Sequence, residues 1–329
     1  MDPLAWMARA GRILLALWLS ASGMAVADTV IEDVPGQPYF PFEYRDATDF
    51  SGLTWVDGRE FFAVSDKVRA VFPMNIAIDA SKGRIESAVV GTRKTVKTRA
   101  GDFEGVAYVP EKRRLYISAE DGNAIMGFDL RSGAVSAVAV PPVFSHARRN
   151  KSLESLTFSS KIGSFWTANE EALDGDGPVS DSKSGTVVRL QRFDRNLRAS
   201  GQFAYRTEPS AVRLQNAGTG VSDLVLLPNG ELLVLERVVG IFGLAAKIFR
   251  ADVRDATDTS GVPKLDGAEF TPAAKTLLFS RPTLTVNFEG IALGPPLDSG
   301  WRSLILIADS GGGTTHHLMP LRIRWSDGK

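Results

Sequence analysis

A short motif recurs five times along this chain and constrains its fold more than any other feature. Each copy begins near an apolar residue, continues with an acidic or small polar residue and a small residue, and leads into an alternating run typical of a β-strand. The copies occupy residues 49–53, 102–106, 152–156, 220–224 and 287–291. Self-similarity at such intervals is the signature of a repeat architecture.

Each motif is followed by a turn and a second run rich in β-branched or aromatic residues, so each unit opens with a predicted hairpin. The turns contain residues suited to tight turns, such as Asp57-Gly58. The second runs end on the acidic residues Asp66, Glu120, Glu170, Glu236 and Asp309. Further alternating segments, 76–79 and 126–129, predict a third and a fourth strand in each unit.

Units of four short strands at intervals of fifty to seventy residues predict an all-β fold, a single β-propeller of five or six four-stranded blades. Solenoid repeats are shorter, and a β-sandwich does not repeat. The later units carry insertions, of which residues 171–185 are the clearest. Their Asp, Gly, Ser and Lys content predicts a flexible acidic loop on one rim. We expect one domain over residues 28–329.

The N-terminus resembles a cleavable secretory signal over residues 1–27, with basic residues, an apolar run at 13–19 and the small triplet 25–27. The apolar run is shorter than the roughly 20 residues that span a bilayer. We therefore expect no integral membrane segment after cleavage. The chain contains no cysteine, which excludes disulfides and favours the periplasm over full secretion.

The charge balance argues against some partners. Lys plus Arg and Asp plus Glu number 38 each, so the basic excess expected for binding nucleic acid is absent. We expect a monomer that acts on a small anionic or ester substrate.

In a propeller the innermost strand of each blade lines a central channel, so equivalent residues form a ring. Glu104, Glu154 and Glu289, with Asp223 one place later in its repeat, are expected to converge there. Like charges in a narrow channel call for a cation, and hard carboxylate oxygens favour a divalent one, Ca²⁺ or Mg²⁺. The alternative is that these acids accept hydrogen bonds from backbone amides of the neighbouring blade.

Other chemistry has less support in the sequence. There is no Gly-x-Ser-x-Gly nucleophile motif and no histidine spacing typical of a zinc site. Arg148 and Lys151 precede the third motif, and residues 93–99 carry alternating basic side chains. These segments are either solvated edges that discourage sheet aggregation or a rim that attracts an anionic substrate.

The motifs at residues 102–107, 152–156 and 287–293, the last followed by residues 304–310, resemble the bacterial phytase-like family, named for the esterase-like activity of phytase. The resemblance implies an exported propeller with phosphomonoesterase or esterase activity, dependent on calcium. It implies channel ligands at Glu104, Glu154 and Glu289, and a functional acid at Asp309. Ser51 and Ser222 depart from the acidic pattern.

Three functional hypotheses follow. In the first, a metal-dependent hydrolase of phosphate or carboxylic esters uses Glu170 or Asp309 as base, while Arg148 or Lys151 orients the substrate. The second is a lactonase-like propeller hydrolase with Glu104, Asn169, Asp223 and Glu289 as its set. The third is a non-catalytic periplasmic binding propeller that presents the loop at 171–185 to a protein or glycan.

Overall fold

The structure is a computed structural model and describes residues 29–212 and 218–326. It is an all-β chain in which five sheets stand around a central axis, a five-bladed β-propeller. Of the five or six blades that the repeats predict, five are present. The predicted signal at residues 1–27 lies outside the described residues.

The strands follow the repeats. Two short strands, β1 (Val30–Asp33) and β2 (Phe40–Glu43), precede the first blade. Blade 1 contains β3 (Phe50–Asp57), β4 (Glu60–Ser65), β5 (Val68–Ile78) and β6 (Ile85–Val90), with β7 (Lys94–Thr95) beside β5. Blade 2 contains β8 (Gly101–Val109), β9 (Arg114–Asp121), β10 (Ala124–Asp129) and β11 (Val135–Val138). Two 3₁₀ helices, Pro110–Lys112 and Pro142–His146, lie in connections.

The remaining blades repeat this order. Blade 3 contains β12 (Thr157–Ser159), β13 (Ser164–Ala168), β14 (Val187–Asp194) and β15 (Ala199–Arg206). Blade 4 contains β16 (Gly220–Leu226), β17 (Leu232–Gly240), β18 (Gly243–Asp252) and β19 (Ala274–Leu284). Blade 5 contains β20 (Asn287–Pro296), β21 (Arg302–Asp309) and β22 (Thr315–Arg324).

The fifth blade is completed from the other end of the chain. Strand β1 pairs antiparallel with β22, from Val30 opposite Arg324 to Asp33 opposite Leu321. The N-terminal segment thus supplies the outer strand of the last blade, and its backbone hydrogen bonds close the ring.

The hydrophobic core lies between neighbouring blades. The apolar residue of each motif is buried there: Phe50, Phe103, Leu153, Val221 and Phe288. Five clusters of buried side chains fill the five interfaces between blades. Burial of apolar surface is the main favourable contribution to folding, which explains why the apolar position persists in every repeat.

The small residue of the motif is required by close approach at the axis. A Cβ on Gly105 would lie 2.1 Å from the backbone N of Leu156, and one on Gly52 would lie 2.2 Å from the carbonyl oxygen of Glu104. Distances this short cannot be accommodated without moving backbone. The inner strands of neighbouring blades therefore touch at this level.

The insertion at residues 171–185 is packed rather than a free rim loop, which corrects the expectation from its composition. Asp176 and Arg189 form a fully buried ion pair with distances of 2.6 and 2.7 Å. Asp176 also accepts a hydrogen bond from the backbone N of Leu265 at 2.9 Å. These contacts tie the segment to blade 3 and to the connection between β18 and β19.

Within the part of the chain that the structure describes, no helix has the length and apolar character needed to cross a membrane.

Candidate functional site

The third residue of each motif, acidic or small and polar, lies at one mouth of the channel, where a β-bulge interrupts the inner strand. The pairing of the inner strand with its neighbour shifts register between Phe50 and Gly52, and again between Phe288 and Gly290. Similar shifts occur in β8 and β16. A bulge redirects the extra residue away from the ladder. The equivalent positions in the five blades are Ser51, Glu104, Glu154, Ser222 and Glu289.

A second set of side chains comes from the end of the neighbouring strand. Asp309 lies opposite Asn287, one residue before the apolar residue of its motif. The same relation in blade 4 places Arg237 opposite Gly220. Counted in this way, the second set is Asp66, Glu120, Glu170, Arg237 and Asp309.

Glu236, which the sequence placed in the second set, is therefore out of register. It pairs opposite Val221, and successive residues of a strand face opposite sides. Its carboxylate accepts hydrogen bonds from Tyr205 Oη at 2.6 Å and from the backbone N of Glu208 at 2.8 Å. Lys275 lies 3.0 Å away. Arg237 takes the channel position instead.

Three carboxylates meet at the site. Glu120, Glu154 and Glu170 can each place an oxygen so that all three lie within 4.8 Å of one another. Glu120 accepts a hydrogen bond from the backbone N of Ser152 at 2.8 Å, which fixes one of its oxygens. The cluster thus combines one residue of the first set with two of the second.

Two cations stand beside these acids. Lys151 Nζ lies 2.6 Å from Glu170 Oε2, and Arg237 donates to Glu170 Oε1. Arg237 also approaches Glu289 Oε1 at 3.5 Å. The pKa of Glu170 is lowered, because the two cations together outweigh the raising effect of burial.

The other acids hold their protons more tightly than free carboxyl groups. Burial, and then the charge of Glu289, raises the pKa of Glu104 well above its ordinary value. Burial, and then Glu104, does the same to Glu154. Burial raises the pKa of Glu289 to about 8, that of Glu120 to about 7 and that of Asp309 to about 6. The three motif glutamates therefore converge, as the repeat predicted, although their role as ligands stays a prediction.

The residues present fit a divalent cation. Seven acids in the two sets face the single arginine of those sets and Lys151, so full ionisation leaves an excess of negative charge. Two buried acceptor oxygens near this mouth, Asp66 Oδ1 and Asn287 Oδ1, have no hydrogen-bond donor among the described residues. Uncompensated carboxylate and amide oxygens are the ligands that calcium prefers.

Asp223 is not brought into this ring. Because Ser222 occupies the bulge position, Asp223 stands where the other blades have a small residue. Its Oδ2 accepts a hydrogen bond from the backbone N of Ile291 at 2.9 Å and its Oδ1 one from that of Leu224 at 2.8 Å. The backbone of Leu156 also donates to it. Asp223 thus connects the inner strands of blades 3, 4 and 5.

Two other residues of the sequence analysis lie away from the acids. Arg148 donates to the carbonyl oxygen of Gly177 at 2.9 Å and lies 3.4 Å from Asp174, so it holds the insertion. The buried amide of Asn169 accepts from the backbone N of Arg189 at 2.8 Å. The lactonase-like set of Glu104, Asn169, Asp223 and Glu289 is therefore not assembled around one point.

Sequence reasoning missed Arg237 as a partner of the acids. Counting the strand pairing could have found it. Each residue of the second set lies opposite the residue that precedes the apolar position of its motif, and a shift of one residue turns a side chain to the other face. The neighbouring Glu236 is acidic like the second-set residues of the other blades, and its residue type concealed that Arg237 holds the equivalent position.

One family profile matches most of the chain. The sequence profile of the family described as "Phytase-like: Esterase-like activity of phytase" matches residues 46–311. A comparison with curated proteins gave no significant match.

Several solved structures are similar at low identity. A chain of the nidogen/laminin complex has 10% identity and a TM-score of 0.42, with 91% of this chain and 99% of that chain covered. A luciferin-regenerating enzyme has 13% identity and a TM-score of 0.39, with 90% and 95% covered. Hydrazine synthase of Kuenenia stuttgartiensis has 11% identity and a TM-score of 0.39. The match covers 81% of this chain and 58% of the hydrazine synthase chain.

Proposed function

The chain belongs to the phytase-like family, and from that premise we propose that it is a divalent-cation-dependent hydrolase of phosphate monoesters or carboxylic esters, with Ca²⁺ as the cation. One observation carries the proposal. The buried Nε of Arg237 has no acceptor among the described residues, yet it lies beside a cluster of three carboxylates. A cation site next to an unsatisfied guanidinium donor is suited to a substrate with anionic oxygens.

The residues that would hold the cation are Glu120, Glu154 and Glu170. Among neighbouring charges, Glu104 has the largest effect on the pKa of Glu154. When bound, a divalent cation polarises a phosphoryl or carbonyl oxygen and lowers the pKa of bound water. Glu154 and Glu170 interact through a hydrogen bond that needs a proton on Glu154. A cation would replace that proton.

The chain's own residues supply orientation and proton transfer. The planar guanidinium of Arg237 can donate two parallel hydrogen bonds to an oxyanion. Lys151 adds a flexible ammonium group. Asp309 is the proposed base, because its carboxylate lies near Asp66 and Glu289 in the two sets and pairs with no arginine or lysine among the described residues. It would accept the proton of the attacking water.

Activity of the purified mature chain tests the proposal. Phytate, p-nitrophenyl phosphate and p-nitrophenyl acetate are assayed with millimolar Ca²⁺ and with EDTA. We expect at least one substrate to be hydrolysed only with Ca²⁺, and Glu154→Gln to remove that activity. Glu111→Gln, an exposed acid paired with Arg195, is the matched control and retains it. Hydrolysis of none of the three substrates refutes the proposal.

We also propose that residues 1–27 direct the chain to the periplasm. The motivation is the order of basic residues, apolar run and small residues described above. N-terminal sequencing of the protein from the periplasmic fraction should give Asp28 as first residue. Recovery of an uncleaved chain from the cytoplasm would contradict this.

A further inference from the structure

The end of the channel opposite the acids contains a cavity of about 270 Å³. All five inner strands contribute to it with residues that follow the motif, such as Trp55 in β3 and Tyr108 in β8. The lining begins at Val106, two residues beyond Glu104, and extends to Tyr108, roughly 13 Å from Glu104 along an extended strand; no acid of the two sets lines it. The cavity is therefore distinct from the acid cluster.

The two ends of the channel differ in charge. Among the described residues that line the cavity, Arg302 and Lys161 are basic and none is acidic. Lys161 already interacts with another group, which leaves Arg302 as the positive charge for a ligand.

Arg302 is half-buried and held in place without a counter-ion. Its Nε donates to the carbonyl oxygen of Gly294 at 2.7 Å, and its guanidinium carbon lies 4.8 Å from the ring centroid of Trp55. It forms no ion pair with a carboxylate anywhere in residues 29–212 or 218–326. Burial lowers the pKa of Arg302, in keeping with a positive charge that lacks an anionic partner.

Two threonines add donors to the same walls. Thr54 Oγ1 accepts a hydrogen bond from the backbone N of Tyr108 at 3.2 Å, and Thr157 Oγ1 accepts one from that of Leu226 at 3.1 Å. A hydroxyl that accepts in this way keeps its own hydrogen to donate. Ser159 and Ser160 also line the cavity, and most of the other walls are aliphatic or aromatic, including Leu156 and Phe158.

We propose that this cavity is a second binding site, for a small organic anion with an apolar body, of which an aromatic carboxylate is the simplest example. The guanidinium plane of Arg302 matches a carboxylate, and the apolar walls match a ring. The volume lies just below the usual range for ligand sites, which limits the ligand to the size of a single ring with short substituents. The site is independent of the hydrolase proposed above.

The test uses the full mature chain labelled with 5-fluorotryptophan, in EDTA, so that cation binding at the other mouth plays no part. The ¹⁹F resonance of Trp55 is assigned from the Trp55→Phe variant and followed during titration with benzoate. We expect a saturable shift of that resonance. Benzyl alcohol, which has the ring without the charge, and inorganic phosphate, which has charge without the ring, should each bind at least about tenfold more weakly, since either loses one set of contacts.

Arg302→Gln should weaken benzoate binding about tenfold or more, because a charge-assisted hydrogen bond is lost. Arg324→Gln is the matched control: this arginine also stacks on a tryptophan, Trp301, at 4.6 Å, but lies outside the cavity. Unchanged binding by Arg302→Gln, no saturable shift of Trp55, or equal binding of benzyl alcohol would each overturn the proposal. If Arg302→Gln does not fold, the comparison of the three ligands on the unaltered chain decides.

Discussion

Arg237 donates a hydrogen bond to Glu170 across the boundary between blades 3 and 4, although the two residues hold the same position in their blades. A ring that is acidic in the other blades is thus interrupted by one guanidinium. The interruption makes the site asymmetric: the carboxylates come mainly from blades 2, 3 and 5, and blade 4 adds a positive charge to that of Lys151.

Replacing Arg237 by Met should destabilise the protein in EDTA by about 3 kcal/mol, because Glu170 and Glu289 lose a buried partner. Ca²⁺ should restore part of that loss by taking up the released negative charge. Urea unfolding in EDTA and in Ca²⁺ measures both effects. Arg254→Gln, at the exposed pair with Asp252, should leave the unfolding curve essentially unchanged. Equal effects of the two variants would show that the buried pair contributes nothing.

Asp223 should contribute to the stability of the fold but not to calcium binding. Asp223→Ala leaves buried backbone N–H groups of Ile291, Leu224 and Leu156 without their acceptor, at a cost of about 3 kcal/mol or more. The cost should be the same in EDTA and in Ca²⁺, as measured by urea unfolding. Loss of the calcium response in this variant would instead identify Asp223 as a ligand.

The close approach at the axis predicts a difference between two glycines. Gly105→Ala should lower the free energy of unfolding by about 3 kcal/mol, because the new Cβ overlaps Leu156 N. Gly261→Ala meets open space and should have little effect. Thermal unfolding of both variants measures the difference, and equal melting temperatures would contradict the close contact between blades.

Stability without metal should fall as pH rises. Glu289, Glu120 and Asp309 have raised pKa values of about 8, 7 and 6 in the folded state. The folded protein thus binds more protons than the unfolded chain from their ordinary pKa values, near 4, up to about pH 8, and the free energy of unfolding decreases over that range. Melting temperatures in EDTA at intervals from pH 5 to pH 9 measure this. A rise with pH would mean that the folded state does not raise the pKa values of these acids.

The fold could be predicted from the sequence because each repeat carries both a strand period of two and turn residues between strands. The repeats alone do not decide between five and six blades. What no local pattern showed is the pairing of Val30–Asp33 with β22, because strands nearly 300 residues apart carry no short-range signal of their partnership. That pairing completes the fifth blade.

The site was predicted in part. Glu104, Glu154 and Glu289 come together because the repeated motif fixes their place. Glu236 and Asp223 were assigned by residue type, whereas a shift of one residue turns a strand side chain to the other face. The bulge at Ser222 matches those of the other blades, so Glu236 and Asp223 each lie one residue away from the positions that acids occupy elsewhere.

The most direct test is the melting temperature of the mature protein in EDTA and in millimolar Ca²⁺, with Glu154→Gln alongside. A cation that binds the folded state adds about 2.7 kcal/mol at one hundred times its dissociation constant, a shift of several degrees for a domain of this size. We predict that shift for the unaltered protein and a much smaller one for Glu154→Gln, whose ligand charge is gone. Identical melting temperatures of the unaltered protein in EDTA and in Ca²⁺ would contradict the account, because Ca²⁺ would then add nothing to the stability of the folded protein.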